Sequence, residues 1–224
     1  KVKDFVVTSK NYSNIKVDLI DGYLDIDPVS EETVVNIAGR TDSKVYNRSE
    51  QAVTGYTTDI TDPTITATLK SGATARAAGT DAGHYPMGLT GASFDVESDN
   101  YNNLKVVVTD GYLDITPIAE EKVVTIKGNT RTATYTGSIQ SIDGFTTDID
   151  DSTITAELAK GCVAQASGTR VDTYNMNLKA NDFVVASRNY SNLKVKIIDG
   201  WLKITPDSQL TITITGKNAS RKYN

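Results

Sequence analysis

Two acidic loops contain the residues of this sequence that are best suited to bind a cation. Asp59 and Asp62 lie in the stretch Thr-Asp-Ile-Thr-Asp-Pro, and Asp148, Asp150 and Asp151 lie in the corresponding loop. Protein sites for Ca²⁺ use several carboxylate and carbonyl oxygens, so both loops are candidate calcium sites. The spacing of an EF-hand is absent, however, and Asp beside Thr and Pro is ordinary turn chemistry. We therefore expect turns here, with no metal and no cofactor.

A thiol nucleophile is the second candidate chemistry. Cys162 is the single cysteine of the chain and His84 is its single histidine. A catalytic cysteine needs a base such as histidine beside it. His84 aligns with Thr173 in the repeat described below, so a Cys–His pair would not recur. We expect Cys162 to be a buried, inert thiol.

An intramolecular isopeptide bond between lysine and asparagine is the third candidate. Lysine recurs every 89 residues, at Lys16, Lys105 and Lys194. An asparagine stands two residues before each of these lysines, at Asn14, Asn103 and Asn192. Two residues on the same strand are too close in sequence to cross-link a domain, so we expect solvated, outward-facing side chains. No nucleophile–base pair and no repeated metal set is found. The sequence therefore predicts a protein that is not an enzyme and that has no catalytic, cofactor-binding or metal site.

Residues 104–117 are the pattern around which the rest of the chain is organised. Asp110-Gly111 separates two runs of alternating apolar residues, which favours a two-residue hairpin with a type I′ turn. In that register Val106 lies opposite Ile115, and Val17 lies opposite Ile26 in the copy of this pattern at 15–28. We expect both pairs to face the core. Pro117 is predicted to end the second strand, because proline cannot donate a ladder hydrogen bond.

The same pattern occurs three times at a fixed spacing. Gly22, Gly111 and Gly200 are 89 residues apart, and the prolines at 28, 117 and 206 keep the same interval. This periodicity indicates a tandem array. We predict complete repeats at 33–121 and 122–209. The C-terminal part of a preceding repeat is predicted at 1–32, and the start of a following repeat at 210–224.

One aromatic position and one charged position distinguish the surfaces of the repeats. Tyr23, Tyr112 and Trp201 share an outward position beside the predicted turn, where we expect cross-strand packing on Ile20, Thr109 and Ile198, with an inter-repeat contact as the alternative. Asp18, Val107 and Lys196 share another outward position. A repeat that keeps its core while its surface charge changes favours a spacer over a unit that recognises one fixed ligand.

Composition limits the class of protein and its partners. The net charge of −5 argues against a nucleic-acid partner, and no run approaches the 18 or so apolar residues that would predict membrane insertion. Threonine, valine and isoleucine are frequent and no helical period is visible, so we predict an all-β fold. The expected arrangement is tandem antiparallel β domains, β-sandwich or β-grasp-like, in an elongated array. Neither a signal peptide nor an anchor motif is seen, so we expect an interior or mature fragment.

Four motifs together resemble the MBG/YDG-type repeats of large bacterial surface proteins. They are Lys-Val-Tyr-Asn at 44–47, Gln-Ala-Val-Thr-Gly-Tyr at 51–56, Gly-Thr-Asp-Ala-Gly-His-Tyr-Pro-Met-Gly-Leu at 79–89 and Asp-Gly-Tyr-Leu-Asp-Ile-Thr-Pro at 110–117. The resemblance covers essentially the whole chain. The sequence departs from it at Arg48, where these repeats usually have Gly and where the second repeat keeps Gly137. The second repeat also has Arg170-Val-Asp172 in place of Asp81-Ala-Gly83.

The resemblance implies a non-catalytic stalk or spacer in bacterial adhesion, located outside the cell at its surface. Two alternatives remain open: an adhesin module that binds a host glycan or protein, and a head-to-tail filament subunit. The expected partners are neighbouring repeats of the same chain. A host surface ligand or self-association would accompany the alternatives, with no nucleic acid and no membrane insertion.

Overall fold

A computed structural model describes residues 1–223 as a nearly all-β protein, which confirms the predicted class. The first ten strands are β1 (Thr33–Gly39), β2 (Thr41–Val45), β3 (Gln51–Thr54), β4 (Tyr56–Thr58), β5 (Thr66–Leu69), β6 (Arg76–Gly79), β7 (Gly83–Pro86), β8 (Phe94–Glu97), β9 (Leu104–Thr109) and β10 (Tyr112–Thr116). The next ten are β11 (Lys122–Gly128), β12 (Thr130–Thr134), β13 (Gln140–Asp143), β14 (Phe145–Thr147), β15 (Thr155–Leu158), β16 (Gln165–Gly168), β17 (Asp172–Asn175), β18 (Phe183–Ala186), β19 (Leu193–Ile198) and β20 (Trp201–Thr205). Single-turn 3₁₀ helices cover Val2–Asp4, Gly91–Ser93 and Ala180–Asp182. Within residues 1–223, none of the helices has the length and hydropathy that a membrane span requires.

The described residues divide into two compact units. The first unit contains residues 1–39, 55–75 and 88–111, and the second contains residues 40–54, 76–87 and those from Tyr112 onward. These boundaries differ from the sequence repeats, so the domains at 33–121 and 122–209 stay a prediction. Asn224, the last residue of the segment predicted at 210–224, lies outside the described residues.

The first unit is built on a three-stranded sheet in the order β4-β1-β9 and a two-stranded pair of β5 with β8. β1 pairs with β9 in parallel, and β4 runs antiparallel to β1. Buried and exposed residues alternate along β1, so that Val35 and Ile37 face inward. Both side chains are at most 2% exposed. Phe94 at the start of β8 packs edge-on against Tyr56, with ring centroids 4.9 Å apart.

The second unit contains six small sheets. Their strand orders are β2-β10-β7, β3-β6, β14-β11-β19, β12-β20-β17, β13-β16 and β15-β18. Its core is formed by the inward positions of the central strands, including Leu113, Ile126 and Leu202, none of which is measurably exposed. Each such side chain contributes about 1.5–3 kcal/mol by its removal from water.

The predicted Asp-Gly hairpins are wrong. β19 pairs in parallel with β11, and β20 pairs in parallel with β12, so the strands on either side of Asp199-Gly200 lie in different sheets and do not pair with each other. β9 and β10 likewise have different partners: Val106 lies opposite Val35, and Ile115 lies opposite Lys44. These four parallel pairings also correct the expectation of purely antiparallel domains. Pro117 does follow the last residue of β10, as predicted.

The Asp-Gly dipeptide has a different structural role from a turn. Gly200 lacks the positive φ that a type I′ turn needs, and a Cβ on it would lie 2.6 Å from the Asn129 carbonyl oxygen. The glycine therefore allows two neighbouring chains to approach closely. The Asp199 carboxylate accepts hydrogen bonds from the backbone N–H groups of Asn177 and Leu178, each at 3.0 Å. Both residues of the dipeptide thus contact residues that lie far from them in the sequence.

Residues 15–27 carry the same alternating pattern but contain no strand. The predicted burial of Val17 and Ile26 as a pair is wrong, since Ile26 is 83% exposed. The strands with the same pattern, β9 and β10, do have parallel partners, which lie 71 positions earlier in the sequence. Leu104 pairs with Thr33, and Tyr112 pairs with Thr41. Without a partner for its backbone hydrogen bonds, the alternating pattern alone does not form a strand.

Candidate functional site

The second acidic loop contains a buried carboxylate, Asp151, which is 5% exposed. Its Oδ1 accepts hydrogen bonds from the backbone N–H and the hydroxyl of Thr153, at 2.9 and 2.7 Å. Its Oδ2 accepts hydrogen bonds from the hydroxyls of Tyr190 and Tyr46, at 3.0 and 3.1 Å. The two tyrosine rings pack edge-on, with centroids 5.9 Å apart. The carboxylate is therefore surrounded by protein donors.

Arg48 completes this cluster with a positive charge. Its Nε lies 3.0 Å from Asp151 Oδ2, and its Nη2 donates to the hydroxyl of Tyr190 at 3.0 Å. Lys122 Nζ adds an ion pair with the neighbouring Asp150 at 2.7 Å. Arg48 has a φ of 67°, which is the left-handed conformation that favours glycine. The ion pair and the hydrogen bond of the Arg48 side chain offset the energetic cost of this backbone conformation.

The electrostatic balance of the cluster favours an ionised Asp151. Burial by itself raises the pKa of this carboxyl group, because it disfavours the charged form. The hydrogen bonds from Thr153, Tyr190 and Tyr46 outweigh burial and lower the pKa to about 2. Burial also raises the pKa of Tyr46, so its hydroxyl keeps the proton that it donates. The carboxylate is accordingly charged at neutral pH and fully hydrogen-bonded.

A second buried polar contact lies in the same unit, at Asn189, whose side chain is 0% exposed. Its Oδ1 accepts a hydrogen bond from the backbone N–H of Ala82 at 2.6 Å, and its Nδ2 donates to Asp81 Oδ1 at 2.9 Å. The preceding residue, Arg188, is largely exposed and lies 3.9 Å from the same Asp81 carboxylate. Residues 81–82 are thereby attached to residues 188–189.

Together these contacts form what we call the Asp151 joint, defined by Tyr46, Arg48, Asp151 and Tyr190. It connects residues that the sequence assigns to successive repeats, although all of them belong to the second compact unit. Every buried side-chain nitrogen and oxygen of the described residues has a hydrogen-bond partner. The polar groups of the joint therefore satisfy one another, which suits a structural connection.

The other acidic side chains of the two loops serve the backbone and neighbouring residues. Asp59 accepts hydrogen bonds from the backbone and side-chain N–H groups of Asn36, at 2.9 and 2.6 Å. Asp148 accepts a hydrogen bond from the backbone N–H of Thr125 at 2.7 Å. These hydrogen bonds lower the pKa of both carboxyl groups. Within residues 1–223, no group of three or more His, Cys, Asp and Glu side chains could hold a metal ion.

The candidate thiol and its histidine have separate partners. Cys162 is half-buried rather than buried, and its Sγ lies 3.9 Å from Asp182. His84 Nδ1 is 2.7 Å from Asp114, and its ring lies beside that of Tyr112, with centroids 4.9 Å apart. The structure thus provides no hydrogen bond between the thiol and the imidazole.

The remaining sequence candidates are surface residues. Lys105 and Lys194 form exposed ion pairs with Glu32 and Glu121, at 3.1 and 2.5 Å. The expected packing of Tyr112 on Thr109 is wrong, because Tyr112 lies opposite Thr41 on β2 and Pro86 on β7.

Sequence reasoning expected Asp151 to lie in an ordinary turn, and Asp151 does accept the hydrogen bonds of such a turn from Thr153. That reasoning missed Tyr46, Arg48 and Asn189 as partners and neighbours of this turn. A signal was present in the two departures from the repeat pattern. Arg48 replaces the glycine found at Gly137, and Asp81-Ala82 is absent from the second repeat. Both departures fall at residues that make the buried contacts described above.

Comparison with known proteins provides no relative on which to base the function. No protein-family model, no curated protein and no solved structure matches this chain. The function is therefore argued from the residues and from the geometry of the Asp151 joint.

Proposed function

We propose that this chain is a non-catalytic stalk or spacer segment of a bacterial surface protein, located outside the cell. The observation that carries the proposal is the Asp151 joint. A spacer needs consecutive repeats to be attached firmly. This joint attaches residues of successive repeats through a buried charge that has donors from four residues around it. Breaking one side of a buried ion pair costs about 3–5 kcal/mol. The Arg48 side chain is 46% exposed, so we expect the joint to resist separation with the lower end of that range.

The connector that enters the second repeat supports the same role. Ile118 forms a parallel bridge with Tyr190, with hydrogen bonds from Ile118 N–H to the Asn189 carbonyl (2.9 Å) and from Ser191 N–H to the Ile118 carbonyl (3.0 Å). Pro117 just before it restricts its own φ. The connector is therefore ordered by pairing and differs from a flexible linker.

Surface variation and the MBG/YDG resemblance add further support. Val107 and Lys196 occupy matching exposed positions, while the inward Leu113 and Leu202 are both 0% exposed. A unit that keeps its core and changes its surface fits a spacer better than a module with one constant ligand site. The stalk role of proteins with such repeats agrees with this reading.

Small-angle X-ray scattering on the whole chain tests the proposal. A compact globule of 224 residues has a radius of gyration of about 17 Å. A stalk segment should give a clearly larger value, with a long tail in the pair-distance distribution. A radius near 17 Å would refute the stalk, and saturable binding on an array of host glycans and proteins would favour the adhesin alternative.

A further inference from the structure

The first compact unit contains a counterpart of half of the Asp151 joint. Asp62, Thr64 and Tyr101 stand 89 residues before Asp151, Thr153 and Tyr190. Asp62 Oδ1 accepts hydrogen bonds from the N–H and hydroxyl of Thr64 at 2.9 and 2.8 Å, and its Oδ2 accepts one from the Tyr101 hydroxyl at 2.8 Å. The three side chains therefore have the arrangement of their counterparts. We call them the first-unit socket.

The first-unit socket differs from the joint in being open. A cavity of about 130 Å³ adjoins Asp62 and Tyr101, and its lining includes Val35, Asp59 and Ile65. Cavities of this order hold a single six-membered ring. In the second unit, Tyr46 and Arg48 contact the equivalent Asp151 and Tyr190. Asp62 and Tyr101 are half-buried, whereas Asp151 and Tyr190 are 5% and 6% exposed.

The second unit also presents a tyrosine that matches Tyr46 and is exposed. Tyr135 follows β12 as Tyr46 follows β2, and it is 41% exposed where Tyr46 is 5% exposed. Both backbones are anchored alike, because Tyr46 N–H donates to the Thr116 carbonyl and Tyr135 N–H to the Thr205 carbonyl, each at 2.9 Å. The residue two positions later has a positive φ in each case, 67° at Arg48 and 79° at Gly137. The backbone that carries Tyr135 is thus held as that of Tyr46 is, and Gly137 supplies no guanidinium group beside it.

We propose that Tyr135 of one copy of this chain inserts into the first-unit socket of a second copy. Its hydroxyl donates to the Asp62 carboxylate beside Tyr101, as Tyr46 donates to Asp151. The two surfaces differ, so the contact is heterologous and adds copies in series. Because Gly137 lacks the charge of Arg48, the association is weaker than the internal joint and depends on concentration. The proposal does not require the stalk function, since any second copy presents the same tyrosine.

Sedimentation velocity on the whole chain, across a wide range of concentrations, tests the proposal. The chain should associate reversibly, and Tyr135→Ala should abolish the association. Tyr112→Ala is the matched control, because it removes a tyrosine of similar exposure (37%) outside the proposed contact. It should leave the association unchanged.

A gain-of-function variant makes the test independent of loss of folding. Gly137→Arg restores the charge at a backbone conformation that Arg48 already adopts. It should strengthen association about tenfold, as expected for one charge-assisted hydrogen bond. Adding Asp62→Ala should remove that gain, while circular dichroism melts check that each variant is folded. A chain that stays monomeric with Gly137→Arg, or associates without Tyr135 or Asp62, would overturn the proposal without affecting the scattering test of the stalk.

Discussion

Replacing Asp151 with alanine should destabilise the second compact unit by about 3 kcal/mol. The substitution removes the acceptor of the Tyr46 and Tyr190 hydroxyls, which are buried with 5% and 6% exposure, and of the Arg48 guanidinium. Breaking a buried ion pair from one side costs about 3–5 kcal/mol. The Arg48 side chain is 46% exposed and can be rehydrated, so we expect the lower end of that range.

Asp62→Ala is the matched control for this prediction. Asp62 has the same bonds to Thr64 and Tyr101 as Asp151 has to its own threonine and tyrosine. It has no contact equivalent to Arg48 in the described residues of its unit, and it is half-buried. Loss of these hydrogen bonds should cost about 1–2 kcal/mol.

Urea denaturation followed by far-UV circular dichroism measures both free energies of unfolding. Trp201 is the single tryptophan and lies in the second unit, so its fluorescence reports the Asp151 variant separately. Equal costs for the two substitutions, or a change below about 0.5 kcal/mol for Asp151→Ala, would contradict the account of the joint, because surface substitutions have effects of that size.

Three further predictions concern pH, close packing and the strained arginine. The folded pKa of Asp151 is lowered to about 2 from its ordinary value of 3.8, so its contribution of about 2 kcal/mol to stability is present above about pH 5 and is lost as the pH falls towards 2; urea titrations at several pH values should show a smaller loss of stability in acid for Asp151→Asn than for the parent. Gly200→Ala should lower stability by about 1–3 kcal/mol through overpacking, whereas Gly22→Ala, with nothing within 4 Å of the added Cβ, should leave the melting temperature unchanged. Arg48→Gly should relieve backbone strain but remove the positive charge beside the buried Asp151 carboxylate, for a net loss of stability that is smaller than that of Asp151→Ala; a variant as stable as the parent in urea would show that the ion pair is not needed.

Part of the fold could be predicted from local patterns because those patterns report burial. Side chains alternate across a strand, so the apolar positions of residues 112–116 predict an inward face. Leu113 and Ile115 are indeed 0% and 3% exposed. Pro117 ends this strand for a local reason as well, since it has no N–H to donate.

Strand partners could not be predicted in the same way. Backbone N–H and C=O groups point sideways from a strand and accept any neighbouring chain, so the pattern at Asp110-Gly111 suits a hairpin and a continuing strand equally well. The structure selects β1 and β2, 71 residues earlier, as the parallel partners. A connection of that length leaves no signal within a window of a few residues.

The sequence by itself determined the all-β class, the inward faces and the positions of the acidic turns. Only the tertiary structure decided which of these features become ordered or buried. Residues 15–27 have the pattern of β9 and β10 yet leave Leu24 and Ile26 each 83% exposed. No strand of residues 1–223 pairs with this segment, so its backbone has no ladder of hydrogen bonds. Asp62 and Asp151 begin the same Asp-x-Thr turn, but only Asp151 is nearly inaccessible. Its burial depends on Tyr46 and Arg48, more than 100 residues away in the chain, and contacts at that separation are a property of the folded chain.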